Sequence, residues 1–162
     1  MQLPQGWLGP LMILAATPAC FFAAGRRGYR SFGVGQSILR LVVALPLGIS
    51  GLAHFARTAQ FAAIVPPPFT HPGMWVQITG GFELMGFVGL IIPETARLAS
   101  VGVSLLMIAV FPANIYAAGR VVGGIPMPSV PVRLAMQVIY VLTVLIGAWG
   151  LPGFSADADP EG

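Results

Sequence analysis

Four long runs of apolar residues divide the chain, and each is long enough to cross a membrane as a helix. They cover residues 35–55, 74–92, 98–118 and 132–149. A helix needs about 20 mostly apolar residues to span the hydrocarbon core of a bilayer. The runs lack the strict alternation of apolar and polar positions that is typical of strands. The pattern therefore predicts an all-α protein, a transmembrane four-helix bundle over residues 31–150.

A fifth apolar run, at residues 7–25, is a candidate for an additional N-terminal hydrophobic helix. It contains Pro10 and Pro18, and its arginines follow it, whereas a secretory signal peptide begins with its positive region. An extra helix, an interfacial segment and a misassigned start site all stay open for this run. We assign residues 1–30 as a hydrophobic segment with a basic loop, and residues 151–162 as an acidic flexible tail.

The composition indicates that lipid, and not water, surrounds most of the folded chain. Hydrophobic residues make up 56% of the sequence and charged residues 8%, whereas a soluble domain has about 25% charged residues. All eight basic residues are arginines, and they are scattered along the chain. Because nucleic-acid binding needs a basic face, we expect no nucleic-acid partner.

Arginines at the ends of the spans indicate how the bundle is oriented. Four fall on one side when the spans alternate, namely Arg26, Arg27, Arg30 and Arg97. Three fall on the other side, namely Arg57, Arg120 and Arg133. Because cytoplasmic loops carry the excess of positive charge, we expect both ends of the four-span core to be cytoplasmic.

Two charged residues lie well inside the predicted spans, and their depths suggest an ion pair. Measured from the cytoplasmic side at about 1.5 Å per residue, Arg40 lies roughly 8–10 Å deep and Glu83 roughly 14–15 Å deep. A long arginine side chain can cover that offset. The alternative is that Arg40 extends to the head groups while Glu83 is protonated or bonds Thr79. Under both hypotheses Glu83 should face the bundle interior.

A set of polar residues falls at one depth in the outer half of the bundle. All four spans contribute to this polar layer, which consists of His54, Gln77, Asn114, Arg133 and Gln137. Arg133, Gln137 and Tyr140 share one face of the last helix. Such convergence suits a small-molecule or proton site, with a cavity that opens beside the proline run at 66–68. The alternative is that these side chains only bond each other and hold the helices together.

The histidines and the single cysteine limit the chemistry that the chain can perform. His54 and His71, with one distant glutamate, match no zinc-binding spacing, so we expect no bound metal. Cys20 can form neither an internal disulfide nor a Cys-x-x-Cys pair, which excludes dithiol chemistry carried by this chain alone.

Four short motifs follow one another along the core. They are SGLAHF at 50–55, IVPP at 64–67, TGGFE at 79–83 and FPANIY at 111–116. In this order and spacing they resemble the DoxX-like family of small bacterial membrane proteins, over about residues 30–150. The resemblance implies a multi-pass four-helix bundle in the bacterial cytoplasmic (inner) membrane, and it gives weight to His54, Glu83 and Asn114.

The resemblance also implies a cofactor and a partner. Some relatives are linked to thiosulfate:quinone oxidoreduction or to membrane-associated oxidative-stress complexes, so a quinone and a redox protein are candidates. One hypothesis is therefore an accessory or quinone-proximal subunit of a membrane redox system, in which His54 or Glu83 exchanges protons. The other is a non-enzymatic membrane binding, transport or assembly factor. Only the first predicts a quinone in the purified protein, and the sequence leaves the oligomeric state open.

Overall fold

The computed structural model describes residues 34–150, which fold into four long helices, one short helix and a two-stranded hairpin. The long helices are α1 (Val34–Ala56), α3 (Pro72–Ile91), α4 (Ala96–Ala117) and α5 (Val130–Trp149). All four are long and apolar enough to cross a membrane, which confirms the predicted all-α four-helix bundle. The candidate helix at 7–25 and the acidic tail at 151–162 lie outside the described residues.

The four long helices close into a ring around one apolar core. α1 packs against α3 and α5, and α4 packs against the same two helices. Val43, Leu47, Leu90, Val103 and Val144 fill the centre. Large apolar side chains also cover the outward faces, as expected where lipid replaces water around a bundle. Successive helices run in opposite directions, so the bundle is a multi-pass membrane protein, and the cytoplasmic location of its ends stays a prediction.

Small residues allow α1 and α3 to approach closely at the level of the polar layer. A Cβ added to Gly51 would lie 3.0 Å from the carbonyl oxygen of Gly80. A Cβ added to Gly80 would lie only 2.6 Å from the Cβ of His54. Side chains cannot be accommodated at such separations, so the glycines are required for this approach. The contact places His54 directly over the backbone of α3.

The loops that follow α1 and α4 contain short structured segments. The first holds a short helix, α2 (Thr58–Ala62). The second contains a hairpin of β1 (Val121–Val122) and β2 (Ile125–Pro126). Gly123 and Gly124 supply the positive φ angles of its tight turn, a conformation that two-residue hairpin loops require. The Gly-Gly pair therefore accounts for the hairpin.

Candidate functional site

A cavity of about 280 Å³ lies between α1, α2, α3 and α4, at the end of the bundle that carries α2 and the hairpin. Its polar wall consists of Ser50, His54, Thr79, Glu83 and Asn114. Its aromatic wall consists of Phe61, Phe69 and Trp75. Pro66 also lines it, so the expected cavity beside the proline run is present. The structure thus brings residues from three of the long helices and from the first outer loop to one space.

His54 is held from two sides near the end of α1. Its Nδ1 lies 2.9 Å from the carbonyl oxygen of Ser50, one turn earlier. The ring stacks on Phe61, with 4.2 Å between the ring centroids. Because a carbonyl can only accept a hydrogen bond, the Nδ1 atom carries the proton. In the neutral imidazole the other ring nitrogen, Nε2, is then a hydrogen-bond acceptor.

Glu83 faces the bundle interior and lies beside His54. Its Oε2 atom is 3.3 Å from His54 Nδ1, and only 9% of the glutamate side chain is exposed. Ser50 lines the same wall of the cavity as Glu83. An imidazole and a carboxyl group therefore share one wall of the cavity, which is an arrangement suited to exchanging protons with a ligand.

The ion pair between Glu83 and Arg40, one of the two alternatives left open by the sequence, does not form. Glu83 lies level with Ser50, so Arg40 is ten residues away along α1, a distance of roughly 15 Å. The depth estimate failed because α1 extends well past the inner end of α3. Arg40 instead packs its side chain against Gly147 of α5 and donates to the Ser37 hydroxyl at 3.3 Å.

Thr79 is not a hydrogen-bond donor to Glu83. Its hydroxyl is 2.9 Å from the carbonyl oxygen of Trp75 and 3.0 Å from that of Val76, and it donates to these atoms of its own helix. This intrahelical bonding is a common arrangement for threonine in a helix. Thr79 thus contributes to the cavity wall with its proton already committed.

A hydrogen-bond network joins α4 to α5 at the opposite side of the cavity. Arg133 donates from a terminal guanidinium nitrogen to Asn114 Oδ1 at 2.7 Å. Asn114 Nδ2 donates to Gln137 Oε1 at 3.2 Å. A second guanidinium nitrogen of Arg133 lies 2.8 Å from the sulfur of Met127. Three members of the predicted polar layer are therefore bonded to one another, and Asn114 carries the network to the cavity.

Besides Arg40, two more of the predicted site residues lie elsewhere. Gln77 is exposed on the face of α3 that points away from the bundle. The interior face of this helix runs through Val76, Gly80 and Glu83, and Gln77 is rotated about 100° from it around the helix axis. Tyr140 lies one turn deeper than the network. Its hydroxyl donates to the carbonyl oxygen of Val43 at 2.7 Å and so ties α5 to α1.

Several residues of the cavity were missed in the sequence. Ser50 belongs to the same motif as His54 and precedes it by four residues, which is the spacing that places two residues on one helix face. Phe69 and Trp75 come together across a loop, with 5.7 Å between their ring centroids, and no local pattern predicts this contact. Within residues 34–150, no group of three or more His, Cys, Asp or Glu residues is placed to hold a metal ion.

A family model described as a domain of unknown function (DUF8561) matches residues 43–148. The chain belongs to the DUF8561 family. The DUF8561 region contains the whole cavity and the network between α4 and α5, whereas Arg40 precedes it. No curated protein and no solved structure matches the chain.

Proposed function

We propose that this DUF8561 protein is a DoxX-like, quinone-proximal subunit of a membrane redox or oxidative-stress system in the bacterial cytoplasmic membrane. In this proposal the cavity receives a quinone head group. The observation that carries the proposal is the pair of His54 and Glu83, 3.3 Å apart, in the wall of a cavity of about 280 Å³ within a membrane-spanning bundle.

The lining of the cavity suits the chemistry of a quinone ring. Such a ring is flat and apolar, with two oxygens on opposite sides. Phe61, Phe69 and Trp75 offer aromatic surfaces, which pack well against flat rings. His54 and Asn114 offer polar atoms from different helices. The volume of about 280 Å³ lies just below the range of about 300–1,000 Å³ that is common for ligand pockets, so it suits a single ring.

His54 and Glu83 supply the acid–base groups that quinone chemistry needs, because reduction of a quinone to a quinol consumes two protons and oxidation of the quinol releases them. Histidine is the side chain best suited to exchange a proton near neutral pH. Glu83 is a second ionisable group on the same wall. The bundle would bind the ring and hold these groups beside it, and a partner protein would supply or remove the electrons.

A first experiment asks whether the purified protein carries or binds a quinone. The protein is isolated in mild detergent, its lipid extract is analysed by mass spectrometry, and duroquinone is titrated while tryptophan fluorescence is recorded. Trp75 lines the cavity, so we expect quenching that disappears in Trp75→Phe, although Trp7 and Trp149 remain. His54→Phe should weaken binding, whereas Gln77→Ala, which alters an exposed residue of α3, should not. Absence of both quinone and quenching would exclude the proposal.

The second hypothesis, a non-enzymatic binding, transport or assembly factor, is favoured by the network of Arg133, Asn114 and Gln137. These side chains join two helices and need no ligand to satisfy most of their hydrogen bonds. Under this hypothesis, changes at His54 and Asn114 should lower thermal stability while duroquinone has no effect on the melting temperature.

A further inference from the structure

The hydrogen-bonding state of His54 determines what its free nitrogen can recognise. The shorter of the two Nδ1 contacts, 2.9 Å, goes to the neutral Ser50 carbonyl, and the contact to Glu83 is 3.3 Å. A charge-assisted bond between an imidazolium and a carboxylate is about 2.7–2.9 Å long. The contact to Glu83 is longer than that, and with the proton on Nδ1 the Nε2 atom is the acceptor of the neutral imidazole. No described residue bonds Nε2, and His54 lines the cavity, so Nε2 is open to a ligand that brings a hydrogen-bond donor.

The amide of Asn114 has the opposite requirement. An arginine can only donate, so the 2.7 Å contact from Arg133 identifies the bonded Asn114 atom as Oδ1. This assignment orients the amide without ambiguity. Of the two hydrogens on Nδ2, one is committed to Gln137. The other has no acceptor among the described residues, and Asn114 lines the cavity, so this hydrogen is open to a ligand that brings an acceptor.

We infer that the cavity selects the reduced, hydroxyl-bearing form of its ring ligand over the oxidised form. This inference rests on the proposed function and adds the redox state of the ligand to it. A quinol hydroxyl can donate to His54 Nε2, and its other hydroxyl oxygen can accept from Asn114 Nδ2. A quinone carbonyl can only accept a hydrogen bond. It can therefore bind Asn114 Nδ2, but at His54 its lone pair faces the lone pair of Nε2, and the two repel each other.

The test compares two forms of one ring under identical conditions. Duroquinol, kept anaerobic, and duroquinone are titrated separately at pH 8 into the purified full-length protein. We expect the reduced form to bind about tenfold more tightly or better. Duroquinone cannot donate to Nε2, so its complex lacks one hydrogen bond and leaves a buried lone pair without a donor, and such a loss corresponds to about that factor. Equal binding, or tighter binding of duroquinone, would overturn the inference while leaving the proposed function intact. Binding of neither form would instead overturn the proposed function.

Two substitutions should change this preference in opposite directions. His54→Phe keeps an aromatic ring against Phe61 but removes the acceptor, so the ratio of the two affinities should fall to about one. Asn114→Asp keeps an oxygen for Arg133 but replaces the donating group by an acceptor. It should weaken binding of duroquinone more than that of duroquinol, and the ratio should rise.

The matched control is Gln77→Ala, which removes an exposed amide of α3 outside the cavity and should leave both affinities unchanged. The two cavity variants report independently, because a failure of one to fold still leaves the other. An unchanged ratio in a folded His54→Phe protein, or a falling ratio in Asn114→Asp, would contradict the assigned roles of Nε2 and Nδ2.

Discussion

The two sides of the cavity are built by different means. On the side of α1 and α3, glycines bring the backbones together, and the close approach of Gly80 to His54 leaves little room for movement. On the side of α4 and α5, long side chains reach across and bond each other at Asn114 and Arg133. In the most apolar stretch of α3, 44% of the residues are buried inside the bundle, whereas in that of α5 only 11% are.

This difference separates two ways of positioning a polar group inside a membrane. Close backbone packing positions the acid–base pair of His54 and Glu83, and such packing is sensitive to every added atom. A hydrogen-bond network positions the amide of Asn114, and it depends on the chemical identity of its members. The first side should therefore respond most strongly to changes in volume, and the second to changes in hydrogen-bonding capacity.

The largest effect is expected when volume is added between α1 and α3. Gly80→Val inserts a branched side chain where even a Cβ would lie 2.6 Å from His54 Cβ and 3.2 Å from the Gly51 carbonyl oxygen. Overpacking of this kind costs about 1–3 kcal/mol and occasionally more, and we expect the upper end of that range because backbone is involved. Thermal unfolding in detergent measures the loss.

The matched control for that substitution is Gly102→Ala in α4. A Cβ added there would meet nothing within 4 Å, and alanine is favoured over glycine in a helix by about 1 kcal/mol. The control should therefore be neutral or slightly stabilising. A similar loss in both proteins would mean that close packing at Gly80 is not what holds the first side.

The next effect should come from removing the charge in the network. Arg133→Met takes away the donor to Asn114 Oδ1 and leaves this amide oxygen without a protein partner among the described residues. An unsatisfied acceptor costs about 1–3 kcal/mol when it is fully buried. Asn114 is half-buried, so we expect a loss of about 1–2 kcal/mol in unfolding free energy. Duroquinone affinity should fall too, because Asn114 loses its orientation.

Arg120→Met is the control for this second change. Arg120 is exposed and lies over the ring of Tyr116, 3.7 Å from its centroid, and an exposed contact of this type contributes about 0.5–1 kcal/mol. The loss should be smaller than for Arg133→Met, with no change in ligand affinity. Equal losses would show that the network contributes no more than a surface arginine.

A smaller effect tests which residue is coupled to Glu83. In a double-mutant cycle, Glu83→Gln and His54→Phe should show a coupling of about 1 kcal/mol, because residues in contact typically couple by about 0.5–3 kcal/mol. Glu83→Gln and Arg40→Met should add within about 0.5 kcal/mol, since roughly 15 Å separates these residues along the helix axis. Strong coupling to Arg40 would restore the ion pair that the sequence suggested.

The smallest effect is expected at Gln77, which lies at a similar depth to His54 but on the exposed surface of α3. Gln77→Ala should change the unfolding free energy by no more than about 0.5 kcal/mol, as is usual for substitutions outside packed or bonded positions. A loss as large as that of Arg133→Met would indicate that Gln77 belongs to the polar layer after all.

The sequence by itself determined the limits of the four spans within residues 34–150. The apolar runs predicted helices at 35–55 and 132–149, and the structure has them at Val34–Ala56 and Val130–Trp149. The agreement has a local cause. In lipid, each backbone polar group must be satisfied within its own segment, so the length of an apolar run is enough to define a helix.

The sequence also identified most of the polar residues beside the cavity, because depth along a span can be counted from its ends. Asn114, Arg133 and Gln137 lie where the count placed them, and the structure joins them in one network. Their common depth follows from the rise per residue alone.

Only the tertiary structure decided which residues meet across the helices. The depth of a residue does not determine how its helix is rotated about its own axis. The rotation of α3 points Gln77 away from the bundle interior. The length of a loop does not determine the axial offset between the helices that it joins, and this offset placed His54, and not Arg40, beside Glu83. Both quantities are set by close contacts between α1 and α3 at Gly51 and Gly80. These contacts join residues far apart in the chain, so no local pattern reports them.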